Sequence, residues 1–569
     1  MQKRTGNQAI LEQLLADGMT YMFGNPGTVE QGFLDALADY PQLKYILALQ
    51  ESVAVLAADG YARATQRPTL VQMHSAPGLG NAIGALYQAK RGHAPLVVIG
   101  GDAGLRYMNT EAQMYGDLVA LAEPVTKWST MVLDPANLLR VLRRAIKIAA
   151  TPPMGPVYVC LPADVLDAPA SEPVFPTLIP STRVAPPYET VTALAQLLAT
   201  AQTPMIFVGD GVAYAGAQAE LTLVAELLGA EVWEADSGEV NMAYDHPLYQ
   251  GMTGHMFGFA SKPIMQKGDV NLICGTYILP EVFPELGTIF AAGAKNIHID
   301  LDAGAIAKNH PVDFGIVADP KLTLALLAEA LDATLDGTQR ETAQARTAAI
   351  GQAKAEKRAK LLEADHAARD ATPLKMSRFM EELVASLPKD DVIIFDEALT
   401  SSSAVVRYWP PQRTGDYFLT RGGSLGIGFP GAIGAKLANP DKTVIGFSGD
   451  GGSMYTIQAL WTAARHNIAA KFVVCNNSSY RLLQLNIDQY WKDQGIAKHD
   501  FPLSFDLSSP PLRFVEIAHG LGVQGVRVEK PWEVAGAVQQ MLAHPGPFLV
   551  ELALEGDVHP ERIGATCGQ

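Results

Sequence analysis

Cysteine is scarce: the 569 residues hold only Cys160, Cys274, Cys475 and Cys567, none in a Cys-x-x-Cys or Cys/His spacing. That excludes a disulfide framework and suggests no zinc site, so the fold rests on its core and a reducing cytoplasm is the expected compartment. Basic charge is short as well. Lys and Arg number 43 against 59 Asp and Glu, a formal charge of −16, which disfavours nucleic acid as a partner and suits small-molecule substrates. No apolar run approaches the length that crosses a membrane, and the opening "MQKRTGNQAILEQLLADG" turns polar too soon for a signal-peptide core. The chain is therefore expected to be neither membrane-bound nor secreted. What is present is ordinary for a globular protein: 48% hydrophobic and 18% charged residues, enough for large buried cores. The length predicts about three or four domains.

Short apolar runs alternating with helical patterns divide the chain into three blocks. In the first, "YMFG", "KYILAL", "TLVQMH" and "LVVIGG" are separated by segments such as "NAIGALYQAKRG". That is the alternation of a mainly parallel sheet covered by helices on both faces. The proline-rich stretch "LPADVLDAPASEPVFPTLIPSTRVAPPYE" resists regular structure and closes the block. "PMIFVGDG", "AEVWEA", "VNLICGT" and "KNIHIDLD" mark a second block. An Ala-, Glu- and Lys-rich helical linker follows, and "VIIFDE", "KTVIGFS", "AKFVVCNN" and "PFLVELAL" mark the third. The expected fold is α/β, three doubly wound domains with mainly parallel sheets, at residues 1–180, 188–335 and 373–569, with the linker at 336–372. The outer blocks are alike in style, without a periodic repeat in the sequence.

The stretch "GDGGSMYTIQALWTAARHNIAAKFVVCNN", residues 449–477, carries the chemistry. "KTVIGFS" and "AKFVVC" read as buried strands, and the helical spacing of Met454, Ile457, Leu460, Trp461 and Ala464 predicts one helix over "GSMYTIQALWTAAR". Asp450 and Asn477 then lie beyond the C-terminal ends of two strands of a βαβ unit, the edge where open α/β sheets bind ligands. Gly451 and Gly452 allow close backbone approach at a helix N-terminus, which favours a phosphate. A carboxylate, an amide oxygen and phosphate oxygens together describe a Mg²⁺ site. "GDG" alone is usually a turn. The full arrangement of GDG, helix, strand and NN resembles the signature of thiamine diphosphate enzymes. That resemblance implies that Asp450, the Asn477 side chain and the backbone carbonyl of Ser479 hold Mg²⁺ on the cofactor's diphosphate.

Such an enzyme needs a glutamate that shares a proton with the cofactor's aminopyrimidine, and Glu51, between "KYILALQ" and the helix "SVAVLAADGYARAT", matches it. By itself Glu51 is an ordinary first-turn acid. With "FGNPGT", "YILALQE", "DGYARAT", "HSAPGLGNAIGAL" and "ALWTAARHNI", nearly the whole chain resembles the decarboxylase and carboligase superfamily of acetolactate synthase and pyruvate decarboxylase, most closely benzoylformate decarboxylase. The resemblance implies pyrimidine-binding, middle and diphosphate-binding domains, with active sites shared between subunits: a homodimer at least, commonly a homotetramer. It implies that Leu425 props the cofactor while Gly423 offers a carbonyl to the aminopyrimidine, and that Thr400 and Ser401 lie against the diphosphate. Thr28 takes the place of a serine that contacts the substrate carboxylate, and also reads as a helix N-cap after "NPG". His74 matches a histidine that assists proton transfer.

The resemblance breaks in the middle block. Where benzoylformate decarboxylase has a second active-site histidine, "CGTYILPEVFPE" places Val282. Glu281, Tyr277 and His255 are the candidates to replace it. The histidine pair of pyruvate decarboxylases is missing too, and Gln113 in "NTEAQMYGD" matches a glutamine of acetolactate synthases. The expected function is a thiamine diphosphate- and Mg²⁺-dependent C–C lyase on a hydrophobic 2-oxo acid, releasing an aldehyde or passing it to an aldehyde acceptor as a 2-hydroxy ketone. An acetolactate synthase-like carboligase and a catalytically silent cofactor-binding protein stand as the alternatives.

Overall fold

The computed structural model describes residues 4–235 and 237–555, so Cys567 lies outside the described residues. Among them are three six-stranded sheets. The first holds β1 (Tyr21–Gly24), β2 (Lys44–Leu47), β3 (Thr69–His74), β4 (Leu96–Asp102), β5 (Trp128–Met131) and β6 (Val157–Pro162). The second holds β7 (Pro204–Val208), β8 (Glu231–Glu234), β9 (Tyr249–Met252), β10 (Val270–Cys274), β11 (Lys295–Asp300) and β12 (Phe314–Val317). The third holds β13 (Val392–Glu397), β14 (Tyr417–Leu419), β15 (Thr443–Gly449), β16 (Lys471–Asn476), β17 (Gln524–Val528) and β18 (Phe548–Ala553). Every strand pairing within these sheets is parallel.

Central strands such as β4, β7 and β10 are buried along their whole length, because helices cover both faces of a parallel sheet and leave no solvent side. The strands that the apolar runs do not reveal are β5, β6, β9, β12, β14 and β17. Most are short or half-exposed edge strands, and β6, though buried, runs straight into the proline-rich segment. The first sheet is ordered β2-β1-β3-β4-β6-β5 and the third β14-β13-β15-β16-β18-β17. Numbered from their own first strands, these are the same order, so the outer domains share a connectivity that their sequences do not display. The middle sheet, β12-β11-β10-β7-β8-β9, has its order reversal between β7 and β10, as in dinucleotide-binding folds.

The outer domains meet through two helices, Glu51–Thr65 and Gly428–Ala438. The approach is so close that a Cβ on Gly60 would stand 2.1 Å from the Gly431 carbonyl oxygen, and one on Gly434 only 1.9 Å from that of Ala57. Ala57, Ala58, Phe395, Phe429 and Ile433 join in one buried cluster across this contact. The end of β2 is tied down as well: Leu47 N–H donates to His466 Nε2 at 3.0 Å, and Thr462 Oγ1 donates to the Leu47 carbonyl at 3.1 Å. The helix that starts at Glu51 is thus anchored from its first turn.

The 31-residue helix Gly337–Ala367 joins the middle and third domains, opened by an Asp336/Gln339 capping box and mostly exposed along its length. Lys354 Nζ donates to the carbonyls of Tyr244, His246 and Tyr249 at 2.6, 2.9 and 2.7 Å. Asp365 pairs with the buried Arg407 of the third domain.

Candidate active site

At the C-terminal edge of the third sheet, Asp450 follows β15 and Asn477 follows β16. Asp450 is buried, 3% exposed. Its Oδ1 accepts from Gly451 N–H at 2.7 Å, and its Oδ2 accepts from the N–H groups of Asn477 and Ser479 at 3.1 and 3.2 Å. Burial pushes its carboxyl above the usual range, against the pull of these backbone donors. The Asn477 side-chain oxygen accepts from Ser479 N–H at 3.1 Å, and the buried Ser479 hydroxyl has no hydrogen-bond partner among the described residues. The carbonyl of Ser479 accepts from Arg481 N–H at 2.8 Å.

These residues fit a small hard cation. A carboxylate offers about four lone-pair directions, and three N–H groups leave one on Oδ1. The Asn477 oxygen and the Ser479 carbonyl each keep a second lone pair as well. Mg²⁺ takes one or two carboxylates and completes its shell with water and phosphate oxygens.

The single helix expected after "GDG" is instead two. A four-residue turn, Asp450–Ser453, is followed by turns and then the helix Ala459–Arg465. The break has a local cause: Tyr455 and Thr456 N–H bond three residues back, to Gly452 and Ser453, while Thr456 Oγ1 donates across to the Gly426 carbonyl at 2.5 Å. The N–H of Gly451 turns inward to Asp450, so the pair Gly451 and Gly452 forms a tight corner rather than the mouth of a long helix.

Leu425 and Gly423 lie in the turn before Gly428–Ala438; Leu425 is half-buried, and Gly423 is exposed with a left-handed φ of 69°. The turn is held by a residue the motifs did not point to, Glu397 at the end of β13. Its Oε1 accepts from Gly426 N–H at 2.5 Å and its Oε2 from Gly428 N–H at 2.9 Å and Ser448 Oγ at 3.1 Å. Fully buried, its carboxyl is pushed up to about 7 by desolvation. The acid that ends the apolar run "VIIFDE" was its one signal. Thr400 and Ser401 follow Glu397 in a short turn, 8% and 1% exposed.

The C-terminal edge of the first sheet carries the second group. Glu51 opens its helix, 6% exposed, with Gln50 as N-cap accepting from Ser52 and Val53 N–H. Asn25 Nδ2 donates to Glu51 Oε1 at 3.1 Å and Asn81 Nδ2 to Oε2 at 3.0 Å. Gly78 lies between Glu51 and His74: a Cβ there would be 3.3 Å from Glu51 Oε1 and 3.4 Å from His74 Cβ. His74 ends β3. Its Nδ1 is 3.1 and 3.2 Å from the two oxygens of Glu30, and its Nε2 is 3.3 Å from Met114 Sδ. Glu30 is also a residue sequence reasoning missed, since in "GTVEQGF" it reads as an acid beside a helix start.

Thr28 is exposed in the preceding turn, and the N-cap reading fails for it: the helix begins at Gln31, with Glu30 at the cap position and no side-chain cap bond. Beside His74 a shallow recess is lined by Val29, Ser75, Asp102, Tyr107, Met114 and Tyr115, with Gln113 at its wall. Val282 is exposed, whereas Glu281 is buried and accepts from Ser261 Oγ.

Comparison with known proteins gives the same outline. Residues 4–121 match the N-terminal TPP binding domain of thiamine pyrophosphate enzymes, 191–327 the central domain and 400–552 the C-terminal TPP binding domain. Benzoylformate decarboxylase of Pseudomonas aeruginosa is 31% identical over 557 residues, covering 96% of this chain and 98% of that one. The chain belongs to the thiamine pyrophosphate enzymes. Acetolactate synthase 1, chloroplastic, of Oryza sativa subsp. japonica is 29% identical over 581 residues, 98% of this chain and 85% of its own. Among solved structures, the thiamine diphosphate-dependent 4-hydroxybenzoylformate decarboxylase of Rhodococcus jostii RHA1 superposes with a TM-score of 0.82 at 28% identity. It covers 97% of this chain and 100% of that one. In this thiamine pyrophosphate enzyme, among the described residues, no helix is long and apolar enough to cross a membrane.

Proposed function

We propose that this thiamine pyrophosphate enzyme uses Mg²⁺ to decarboxylate a hydrophobic 2-oxo acid to an aldehyde, with transfer to a carbonyl acceptor as the competing outcome, in an assembly of at least two subunits. The observation that carries the reading is the pairing of two built half-sites. Glu51 is gripped by Asn25 and Asn81 on one sheet edge, and Asp450 is cradled by three backbone N–H groups on another. Names of relatives at 31% and 28% identity support the substrate class, as do the aromatic and thioether groups around the recess beside His74.

When bound, thiamine diphosphate supplies the electron sink that lets the carboxylate leave as CO₂. The chain's own residues would do the rest. Asp450, Asn477 and the Ser479 carbonyl hold the cation; Gly451, Gly452, Thr400 and Ser401 line the diphosphate; Leu425 and the Gly423 carbonyl position the rings. Glu51 holds a proton opposite the aminopyrimidine, its orientation set by two amides. Thr28 donates its hydroxyl to the substrate carboxylate, and His74 moves a proton at the reacting carbon. In Glu51→Gln, activity falls by at least about 10²-fold, the scale of a general acid–base residue. Full activity in that variant would sink the mechanism.

A second reading, a carboligase like acetolactate synthase, is favoured by Val282 at the place of the second histidine and by Gln113 at the recess wall. Proton NMR of products from benzoylformate, pyruvate and a branched 2-oxo acid, with cofactor and Mg²⁺ present, separates the two. Aldehyde supports the decarboxylase and 2-hydroxy ketone the carboligase.

A further inference from the structure

The geometry points to Glu30 as the positioning residue of this site: it fixes His74 as the Nδ1–H tautomer, so that Nε2 is the nitrogen that exchanges a proton with the substrate. The inference rests on the reading of His74 as a proton-transfer group and deepens it.

Glu30 sits in the turn between β1 and the helix Gln31–Ala36, 3% exposed. At the cap position of that helix it makes no cap bond, so its burial serves something else. Both its oxygens face His74 Nδ1, at 3.1 and 3.2 Å. The other ring nitrogen, Nε2, has among the described residues a thioether as its hydrogen-bond partner, Met114 Sδ at 3.3 Å. A carboxylate is a strong acceptor and a thioether a weak one. The single proton of a neutral imidazole therefore goes to Nδ1, and the lone pair is left on Nε2.

Two glycines make room for the pair. A Cβ on Gly27 would lie 1.9 Å from His74 Cγ and Nδ1, and one on Gly101 would lie 2.2 Å from Glu30 Oε1. Neither glycine has a left-handed φ, so space, not backbone conformation, is what glycine provides at both places. The motifs "NPGT" and "IGGD" thus share a purpose that their turn chemistry does not explain.

Besides His74, the backbone N–H groups of Gly27 and of Glu30 itself hydrogen-bond to the Glu30 carboxyl. Burial raises the Glu30 carboxyl, and His74 is the charge that opposes the rise. Tyr45 and Tyr158, near Glu30, are pushed upward chiefly by burial and stay neutral, as does Cys160. Glu51 approaches from the Gly78 side and Asp102 from the end of β4. When Nε2 takes a proton, the Nδ1 proton stays in place and the imidazolium rests against the Glu30 carboxylate. The proton returned to substrate then leaves from Nε2, and the neutral tautomer is restored.

The test is long-range ¹H–¹⁵N NMR of the holoenzyme with ¹⁵N-labelled histidine, the His74 signals assigned by their loss in His74→Ala. Wild type shows a protonated-type Nδ1 and a free-type Nε2. Glu30→Ala shifts the proton toward Nε2, and Glu30→Gln, which keeps an acceptor oxygen, preserves the wild-type pattern. Glu30→Ala also lowers kcat by about 10- to 100-fold, the scale of a misplaced catalytic group, with KM little changed. Gly101→Ala, which intrudes on the carboxylate, moves both readouts the same way and serves if Glu30→Ala does not fold. An unchanged His74 tautomer in these variants overturns the proposal, whatever the activity does. A changed tautomer with full kcat upholds Glu30's hold on His74 and instead overturns the catalytic reading of His74.

Discussion

Gly60→Ala sets two physical effects against each other, so the sign of its effect is informative. Alanine is the better helix former by about 1 kcal/mol, and in the middle of Glu51–Thr65 that alone stabilises. The new Cβ, however, stands 2.1 Å from the Gly431 carbonyl oxygen of the facing helix, where a carbon–oxygen contact needs about 3.3 Å. The obstacle is backbone and cannot rotate away, so the helices must part by roughly 1 Å across a buried cluster. Overpacking of this kind costs about 1–3 kcal/mol. With the upper end taken for a backbone clash, the net loss is about 2 kcal/mol. Gly434→Ala, whose Cβ would stand 1.9 Å from the Ala57 carbonyl, loses a similar amount. The double variant loses less than the sum, because one separation relieves both clashes. Urea unfolding followed by tryptophan fluorescence reads this as a lower midpoint. The control is Gly536→Ala, in the exposed face of Val534–Ala543, where nothing lies within 4 Å of the new carbon; its midpoint holds or rises. If Gly60→Ala rises with it, the outer domains do not pack as described.

Two further outcomes follow from buried carboxylates. Asp450→Ala removes the one carboxylate of the proposed cation site, so thiamine diphosphate binding, measured by fluorescence titration, loses its Mg²⁺ dependence; an unchanged dependence refutes the assignment. Glu397 has a folded-state pKa raised from 4.5 to about 7, so its stabilising protonated form is complete below pH 4.5 and is lost as pH rises through about 7. At 1.36 kcal/mol per unit that is about 3 kcal/mol. Glu397→Gln therefore loses less stability than wild type between pH 5 and 8, and equal losses in urea unfolding would refute this.

The legible part of the fold was whatever burial on both faces writes as a continuous apolar run. "LVVIGG", "PMIFV" and "AKFVVC" became central strands, and parallel α/β domains followed from their alternation with helical patterns. Edge strands such as β12 and β14 carry no such run: β12 is mostly exposed, and β14, though buried, is only three residues long. The expected long helix after "GDG" fails for a related reason. Apolar periodicity reports which face is buried, and it does not register a hydroxyl such as that of Thr456 bonding a distant carbonyl.

At the site, the same division holds. The positions of Asp450, Asn477 and Glu51 were visible because each follows an apolar strand at the C-terminal edge of a sheet. Their order along the chain was enough to place them on the edges of two sheets. Glu30 and Glu397 were decided only by tertiary structure. Each is placed by what lies against it, His74 at 3.1 Å or the N–H groups of Gly426 and Gly428 at 2.5 and 2.9 Å. A carboxylate's acceptors and its burial are properties of its neighbours in space. The sequence alone determined the fold class, the family and the cofactor chemistry; the packing of glycine against histidine and of helix against helix decided which acids hold the site in shape.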